Sequence, residues 1–259
     1  FVVKIDYDRK ILVLYKHKKF KPKRRYKPYD LSLRHGKPYL TAKLTFENKD
    51  TLTSNLLVDT GASFDLLLDI NSDTLVSYPS KTLKGDLGRG LGGLLDGLIG
   101  RLKHFDIMPY GFGEVITYYQ DMEGFEHLTE LQNRHGIIGS GILGRFVVVL
   151  DYRNQKMYLK RGQKYKKPFL FNMSGIILED GNNIGKSFKI EEVLPNTPGA
   201  EVDIRAGDEI IKVNGVKGTS LTRIFIKNIF KTKVRKKIRL TIVRDGQKIK
   251  KTFRLKKLI

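Results

Sequence analysis

The sequence predicts a mainly β protein of two domains, with only short helices. Three observations carry this reading. Short runs rich in β-branched and aromatic residues recur along the whole chain, and helical periodicity is confined to three windows. The strand pattern also breaks once, at Lys166-Lys167-Pro168, and resumes at Phe169. The 259 residues suffice for two ordinary cored domains. A hydrophobic content of 40% with 10% aromatic residues belongs to a packed chain, not a disordered one.

Taken in order, strands are expected at Phe1–Asp6, Ile11–Tyr15, Tyr39–Phe46, Ser54–Val58 and Phe64–Leu68. Further strands are expected at Val115–Tyr119, Phe146–Asp151, Lys156–Lys160, Ser187–Val193, Glu209–Val213, Lys237–Val243 and Lys248–Leu255. The helical windows are Glu126–Arg134, Ile142–Phe146 and Leu221–Phe230. Residues 17–29, rich in Lys and Arg and holding Pro22 and Pro28, read as an extended basic linker. Domains are therefore expected at 30–165 and 169–259.

Composition excludes several classes of function. With no Cys, neither a disulfide, a thiolate metal site nor a Cys nucleophile can form. No apolar run approaches the roughly 18 residues that span a bilayer. The chain opens on Phe1 without a signal pattern, so it is expected to be a processed product or a fragment. A net charge of +22 invites a nucleic-acid reading. The basic clusters, however, lie in no recognised nucleic-acid motif, and solvated surface is the preferred reading. The five His (17, 35, 104, 127 and 135) lack metal-ligand spacing, so no metal and no cofactor are expected.

One internal repeat stands out. Phe1-Val2-Val3-Lys4-Ile5-Asp6-Tyr7 recurs as Phe146-Val147-Val148-Val149-Leu150-Asp151-Tyr152, an offset of 145 that continues to Leu14 and Leu159. Each copy reads as strand, turn and strand. Residues 1–16 are thus expected to be the last hairpin of a preceding copy of the same domain.

Asp59-Thr60-Gly61 follows the apolar run Leu56-Leu57-Val58 and precedes another. Gly61 allows a tight turn and close approach of a ligand. Thr60 can bond to an equivalent loop, and Asp59 is left at the mouth of a cleft. A plain Asp-Thr-Gly β-turn is the bland alternative. Leu57-Val58-Asp59-Thr60-Gly61-Ala62-Ser63 resembles the active-site loop of pepsin-like and retropepsin-like aspartic peptidases. Gly136-Ile137-Ile138-Gly139 resembles that family's strand behind the loop, and Ile142–Tyr152 its closing helix and hairpin. The resemblance implies a retropepsin-like β-barrel lobe with Asp59, Thr60 and Gly61 catalytic and Ser63 supporting Asp59. It also implies a glycine-rich flap at Gly90, Leu91, Gly92 and Gly93. The same stretch satisfies GxGxxG, but without the strand-to-helix context a dinucleotide site requires. Such peptidases use two carboxylates about 3 Å apart that share one proton. This chain has one Asp-Thr-Gly, so a second lobe or a homodimer partner is expected to supply the other Asp.

Beyond residue 169, Pro195-Asn196-Thr197-Pro198-Gly199-Ala200 precedes Ala206-Gly207-Asp208-Glu209-Ile210-Ile211 and the turn Asn214-Gly215. This resembles the bacterial PDZ signature and implies a partly open β-barrel with a helix beside a peptide groove. Its peptide-binding loop is expected at Ser174, Gly175, Ile176 and Ile177. Core positions are expected at Ile190, Val193, Ile210, Ile211, Val213, Ile224, Leu240 and Ile242. The functional expectation is an aspartic endopeptidase with a PDZ domain that binds peptide or substrate segments. A catalytically inactive peptide-binding or scaffolding protein of the same fold is the alternative. The expected location is the cell envelope, the periplasm or outside the cell.

Overall fold

The computed structural model describes residues 1–90, 93–121, 133–179 and 187–259. The backbone divides into two compact units, Phe1–Phe169 and Leu170–Ile259.

In the first unit, β1 (Val2–Asp6) and β2 (Ile11–Tyr15) form a hairpin. The basic stretch that follows was expected to be linker throughout, but its end forms a strand, β3 (Lys27–Asp30). Then come β4 (Ser32–Arg34), β5 (Lys37–Thr45), β6 (Thr51–Val58) and β7 (Leu66–Ile70). A long hairpin, β8 (Leu83–Gly90) with β9 (Gly93–Ile107), leads to β10 (Tyr110–Asp121) and β11 (Gly136–Ile138). Helix α1 (Ser140–Leu143), β12 (Phe146–Asp151) and β13 (Lys156–Arg161) close the unit. The helical window at Ile142–Phe146 is therefore shorter than expected, because Phe146 already belongs to β12. Most of the window Glu126–Arg134 lies outside the described residues.

The larger sheet runs β4-β5-β6-β11-β7-β10-β9-β8, and β5 also pairs with β9. That extra pairing closes β5, β6, β11, β7, β10 and β9 into a ring, which leaves those six strands without an open edge. Alternation fills the ring. Along β6, Leu52, Ser54, Leu56 and Val58 are buried, and along β5, Leu40, Ala42 and Leu44. Ser54 is tolerated there because its hydroxyl donates to the Ala42 carbonyl at 2.9 Å.

The second sheet runs β2-β1-β12-β13-β3. The β1–β2 and β12–β13 hairpins are built alike. Asp6 Oδ1 accepts from the Arg9 N–H and Asp151 Oδ1 from the Asn154 N–H, both at 3.2 Å. Lys10 and Gln155, which end the two turns, have φ of 57° and 50°. Across the junction Lys4 pairs with Val149, Val3 with Leu150 and Ile5 with Val148. Because Val149 is the repeat counterpart of Lys4, a local two-fold axis passes between them. The basic stretch crosses one end of this sheet, where Phe20 packs between Tyr15 and Tyr158 at 5.6 and 5.7 Å.

In the second unit, β14 (Ile176–Leu178) and β15 (Phe188–Val193) precede α2 (Pro198–Glu201). Next come β16 (Glu209–Val213), β17 (Val216–Lys217), α3 (Arg223–Phe230), β18 (Lys237–Arg244) and β19 (Gln247–Arg254). The path is β14-β15-β16-β18-β19, with β17 on β16. Two-residue turns Asn214-Gly215 and Asp245-Gly246, all at positive φ, join β16 to β17 and β18 to β19. Helix α3 starts at Thr222, whose hydroxyl accepts from the Phe225 N–H at 3.1 Å. It turns Ile226 and Phe230 into a core with Ile190, Ile210, Val213, Ile238 and Ile242. Ile224 was expected in that core but is 72% exposed. Two residues from Ile226, it lies about 200° around the helix.

Candidate functional site

Strand β6 delivers Asp59, and β11 is threaded between β6 and β7, parallel to the first and antiparallel to the second. The 59–65 loop therefore has to cross the end of β11, and it is stitched there. The Asp59 N–H donates to the Ile138 carbonyl at 3.0 Å, and the Ser140 N–H to Ala62 at 2.8 Å. The N–H groups of Gly139 and Gly141 donate to Asp65 and Phe64, each at 3.0 Å. Glycine is required at two of these positions. A Cβ on Gly139 would lie 2.2 Å from the Phe64 carbonyl oxygen, and one on Gly136 would lie 2.0 Å from that of Leu67.

On this loop Asp59 is half-buried, while Thr60, Gly61 and Ser63 are exposed. Asp59 Oδ1 accepts from the Gly61 N–H at 2.8 Å, a closed Asx turn. Burial, then the nearby Asp59 charge, raises the pKa of the Tyr7 phenol. Of the expected flap, Gly90 pairs with Gly93 across the β8–β9 hairpin. Leu91 and Gly92 lie outside the described residues. The GxGxxG pattern thus falls largely on a β-hairpin, not on a strand-to-helix turn.

Besides the turn aspartates Asp6 and Asp151, sequence reasoning missed two buried charges in this unit. Arg145 is 6% exposed and donates to the carbonyls of Gly141 at 3.2 Å, Lys164 at 3.3 Å and Lys167. Its guanidinium lies over the Phe169 ring at 3.5 Å. Burial lowers its pKa against the opposing pull of Asp65. Asp69, 3% exposed, receives Arg134 at 2.8 and 3.3 Å, yet burial outweighs that pairing and raises its pKa. No local pattern marks either residue as buried. Among the described residues no cluster of three or more His, Asp or Glu is placed to hold a metal. Nor is any helix among them long and apolar enough to cross a membrane.

The second unit presents a different kind of site. Strand β14 ends its sheet, so among the described residues one of its edges has no strand neighbour. Helix α3 runs beside that edge in the opposite direction. Its last residue, Phe230, accepts from the Met173 N–H at 2.9 Å, just before β14. Its first residue, Arg223, donates through Nη1 to the Leu178 carbonyl at 3.4 Å, where β14 ends. The loop entering β14 is held by its own side chains. Asn172 Oδ1 accepts from the Ser174 N–H at 2.9 Å and from the Ser174 hydroxyl at 2.7 Å. Ser174 Oγ accepts from the Ile176 N–H at 3.1 Å, and Asn172 Nδ2 donates to the Ile176 carbonyl at 2.8 Å. Gly175 has a φ of 78°, and a Cβ there would meet Thr197 Oγ1 at 1.9 Å. Beneath the sheet, burial pushes Asp208 up, but the two bonds from Arg244 and one from the Arg205 N–H hold it below the usual carboxylate value.

Residues 165–243 match the family model for the PDZ domain. The chain contains a PDZ domain. The matched segment takes in the β14 edge and α3, so the features just described lie within the PDZ match. No curated protein matches the chain. Solved structures that it resembles include two of the HtrA-type protease AlgW with decapeptide, at 12% and 13% identity and a TM-score of 0.33 for both. They are matched over 88% and 89% of this chain and 62% and 78% of theirs. The chain thus spans under two thirds of the first of them. A serine endoprotease from Yersinia pestis matches at 14% identity and a TM-score of 0.31, over 89% of this chain and 84% of that one.

These findings correct the assignment of the chain to the aspartic peptidases. The solved structures returned are HtrA-type and serine proteases, not pepsin-like or retropepsin-like peptidases. Within the chain, no other carboxylate is hydrogen-bonded to Asp59 among the described residues; its bond is to Gly61. The assignment of the chain to that family, its aspartic endopeptidase activity and the inactive alternative of the same fold are accordingly set aside. The roles expected of Asp59, Thr60, Gly61 and Ser63, and of the flap at Gly90, Leu91, Gly92 and Gly93, were implied by that resemblance alone.

Proposed function

We propose that the protein binds extended peptide segments through its PDZ domain, in the groove between β14 and α3. The observation that carries this is the open edge of β14, with a helix lying alongside and tied to both ends of the strand. An unpaired edge offers main-chain donors and acceptors to an incoming strand, and a flanking helix supplies side-chain selectivity. Ser174, Gly175, Ile176 and Ile177 line or lead into that edge.

The test is an array of random decapeptides probed with the intact protein, followed by amide hydrogen exchange on the strongest binder. Binding should slow exchange at Leu178, since the Ile176 N–H is already bonded to Ser174 Oγ and Ile177 pairs with Glu192, and leave β19, the edge at the far end of the sheet, unchanged. An array that retains no protein, or protection elsewhere only, removes the reading.

The hairpin repeat supports a second barrel of the same build packed on Leu12 and Leu14. These residues are 62% and 54% exposed, while their counterparts Met157 and Leu159 are fully covered. The chain has no Cys, so one introduced at Leu12 can be labelled selectively. In the longest natural form of the protein, Leu12→Cys should react with maleimide far more slowly than Ile224→Cys. Equal rates remove the second barrel.

A further inference from the structure

One face of the second sheet forms the floor of a basic hollow. Lys4 pairs with Val149, Asp6 with Val147 and Val147 with Lys160, so these residues share a face, the one opposite Leu159 and the barrel core. Residues of the basic stretch, among them Lys21, Lys23 and Arg25, wall the hollow, whose volume is about 900 Å³. Eight of its seventeen lining residues are Lys or Arg, against two carboxylates. Both carboxylates are engaged: Asp6 accepts from the Arg9 N–H at 3.2 Å and Asp8 from the Gln163 N–H at 2.7 Å. Among the described residues none of the eight cations forms an ion pair with a carboxylate. Lys160 and Arg161 lie instead over the rings of Tyr26 and Tyr165, at 5.8 and 4.5 Å.

A second hollow of about 500 Å³ shares Arg25, Lys160 and Arg161 with the first, adds Lys27 and has no carboxylate in its lining. The two adjoin as one basic track. Cations gathered in this way repel one another and destabilise the fold, and a bound polyanion relieves the repulsion.

Three features choose among polyanions. The floor strands β1, β12 and β13 each have a partner on both sides, so they offer no main-chain edge to a peptide. The track is concave, which suits one flexible strand and not the rigid rod of a duplex. Aromatic rings also alternate with the cations. Tyr15, Phe20 and Tyr26, all half-buried, line the first hollow, and Tyr110 lines the second. Cations with interleaved rings hold single-stranded nucleic acid without regard to its sequence.

We infer that this track binds single-stranded nucleic acid, with phosphates on Lys21, Lys23, Arg25 and Lys160 and bases against the rings. Composition alone favoured solvated surface for these residues. The way the basic stretch folds against the sheet is what gathers their charge in one place.

The experiment is fluorescence anisotropy of the intact protein with a labelled oligothymidine strand, its duplex, and a polyglutamate peptide of equal charge, over a range of salt. At low salt the strand should bind at least about fivefold more tightly than either competitor, because only its bases reach the rings. Its log affinity should fall with log salt at a slope of about 3, as about four phosphate contacts on a single strand require. Arg25→Ala with Lys160→Ala should weaken the strand about tenfold and reduce that slope by about 1.4. Lys21→Ala with Lys23→Ala should do the same, and these two residues lie in no strand or helix whose folding the change could disturb. Lys248→Ala with Lys250→Ala removes equal charge from exposed positions on β19. It should change affinity by less than about twofold, since distant exposed charges are screened.

An equal loss in the β19 variant assigns binding to net charge and overturns the inference. A duplex that binds as tightly as the strand overturns it, and so does polyglutamate, which would point to an acidic protein partner. Failure of the strand to bind at low salt overturns it as well. None of these outcomes bears on peptide binding at the β14 edge.

Discussion

The hairpins Phe1–Lys16 and Phe146–Arg161 share six of sixteen residues, their register and their turn, yet they live in opposite surroundings. In the second, Met157 and Leu159 are 0% exposed. Their counterparts in the first, Leu12 and Leu14, stand in water at 62% and 54%. The same apolar alternation therefore codes for a strand in both places, while burial depends on what lies against it. In the second hairpin that is the barrel core, including Tyr110, whose hydroxyl donates to the Leu159 carbonyl at 3.4 Å. The turn aspartates differ less. Asp151 accepts a second bond, from Asn154 Nδ2 at 2.8 Å, that has no counterpart at Asp6.

Paired substitutions at the 145-residue offset test this contrast. The largest effect is expected for Leu159→Ala, which opens a cavity in a closed core and should cost about 3 kcal/mol in chemical denaturation. A loss under about 1 kcal/mol would mean that the barrel relaxes around the site. Asp151→Ala comes next. It removes two bonds at a 2% exposed carboxylate and should cost about 1–2 kcal/mol. Asp6→Ala removes one bond and should cost about 1 kcal/mol or less, so equal values for the pair would erase the distinction between the turns. The smallest effect is expected for Leu14→Ala, within about 0.5 kcal/mol in the 259-residue chain. A large loss there would show that Leu14 is covered after all.

Much of the strand framework was legible because alternation and turn chemistry are local. Ile11–Tyr15, Phe146–Asp151 and Glu209–Val213 form as their residue patterns predict, and Asn214-Gly215 and Asp245-Gly246 turn where their φ preferences place them. The long β8–β9 hairpin was not, because Gly93, Gly97 and Gly100 interrupt its alternation. One of these is there for close packing: a Cβ on Gly100 would lie 2.5 Å from Pro79 Cγ. The Asp59 loop shows the opposite failure, in which a specific local motif was assigned a chemistry that depends on a second carboxylate.

By itself, the sequence determined the mainly β character, the repeat, the hairpin turns and a PDZ signature, all of which depend on residues close in the chain. Only the tertiary structure decided that six strands close into a ring, since that requires β5 to meet β9 some sixty residues away. It alone decided that Arg145 and Asp69 are buried, that Ile224 faces water and that Leu12 and Leu159 have opposite fates. The same holds for the β14 edge, where Arg223 reaches Leu178 across 45 residues. Burial and ligand chemistry depend on which surfaces meet, and in this chain they meet across long separations in sequence.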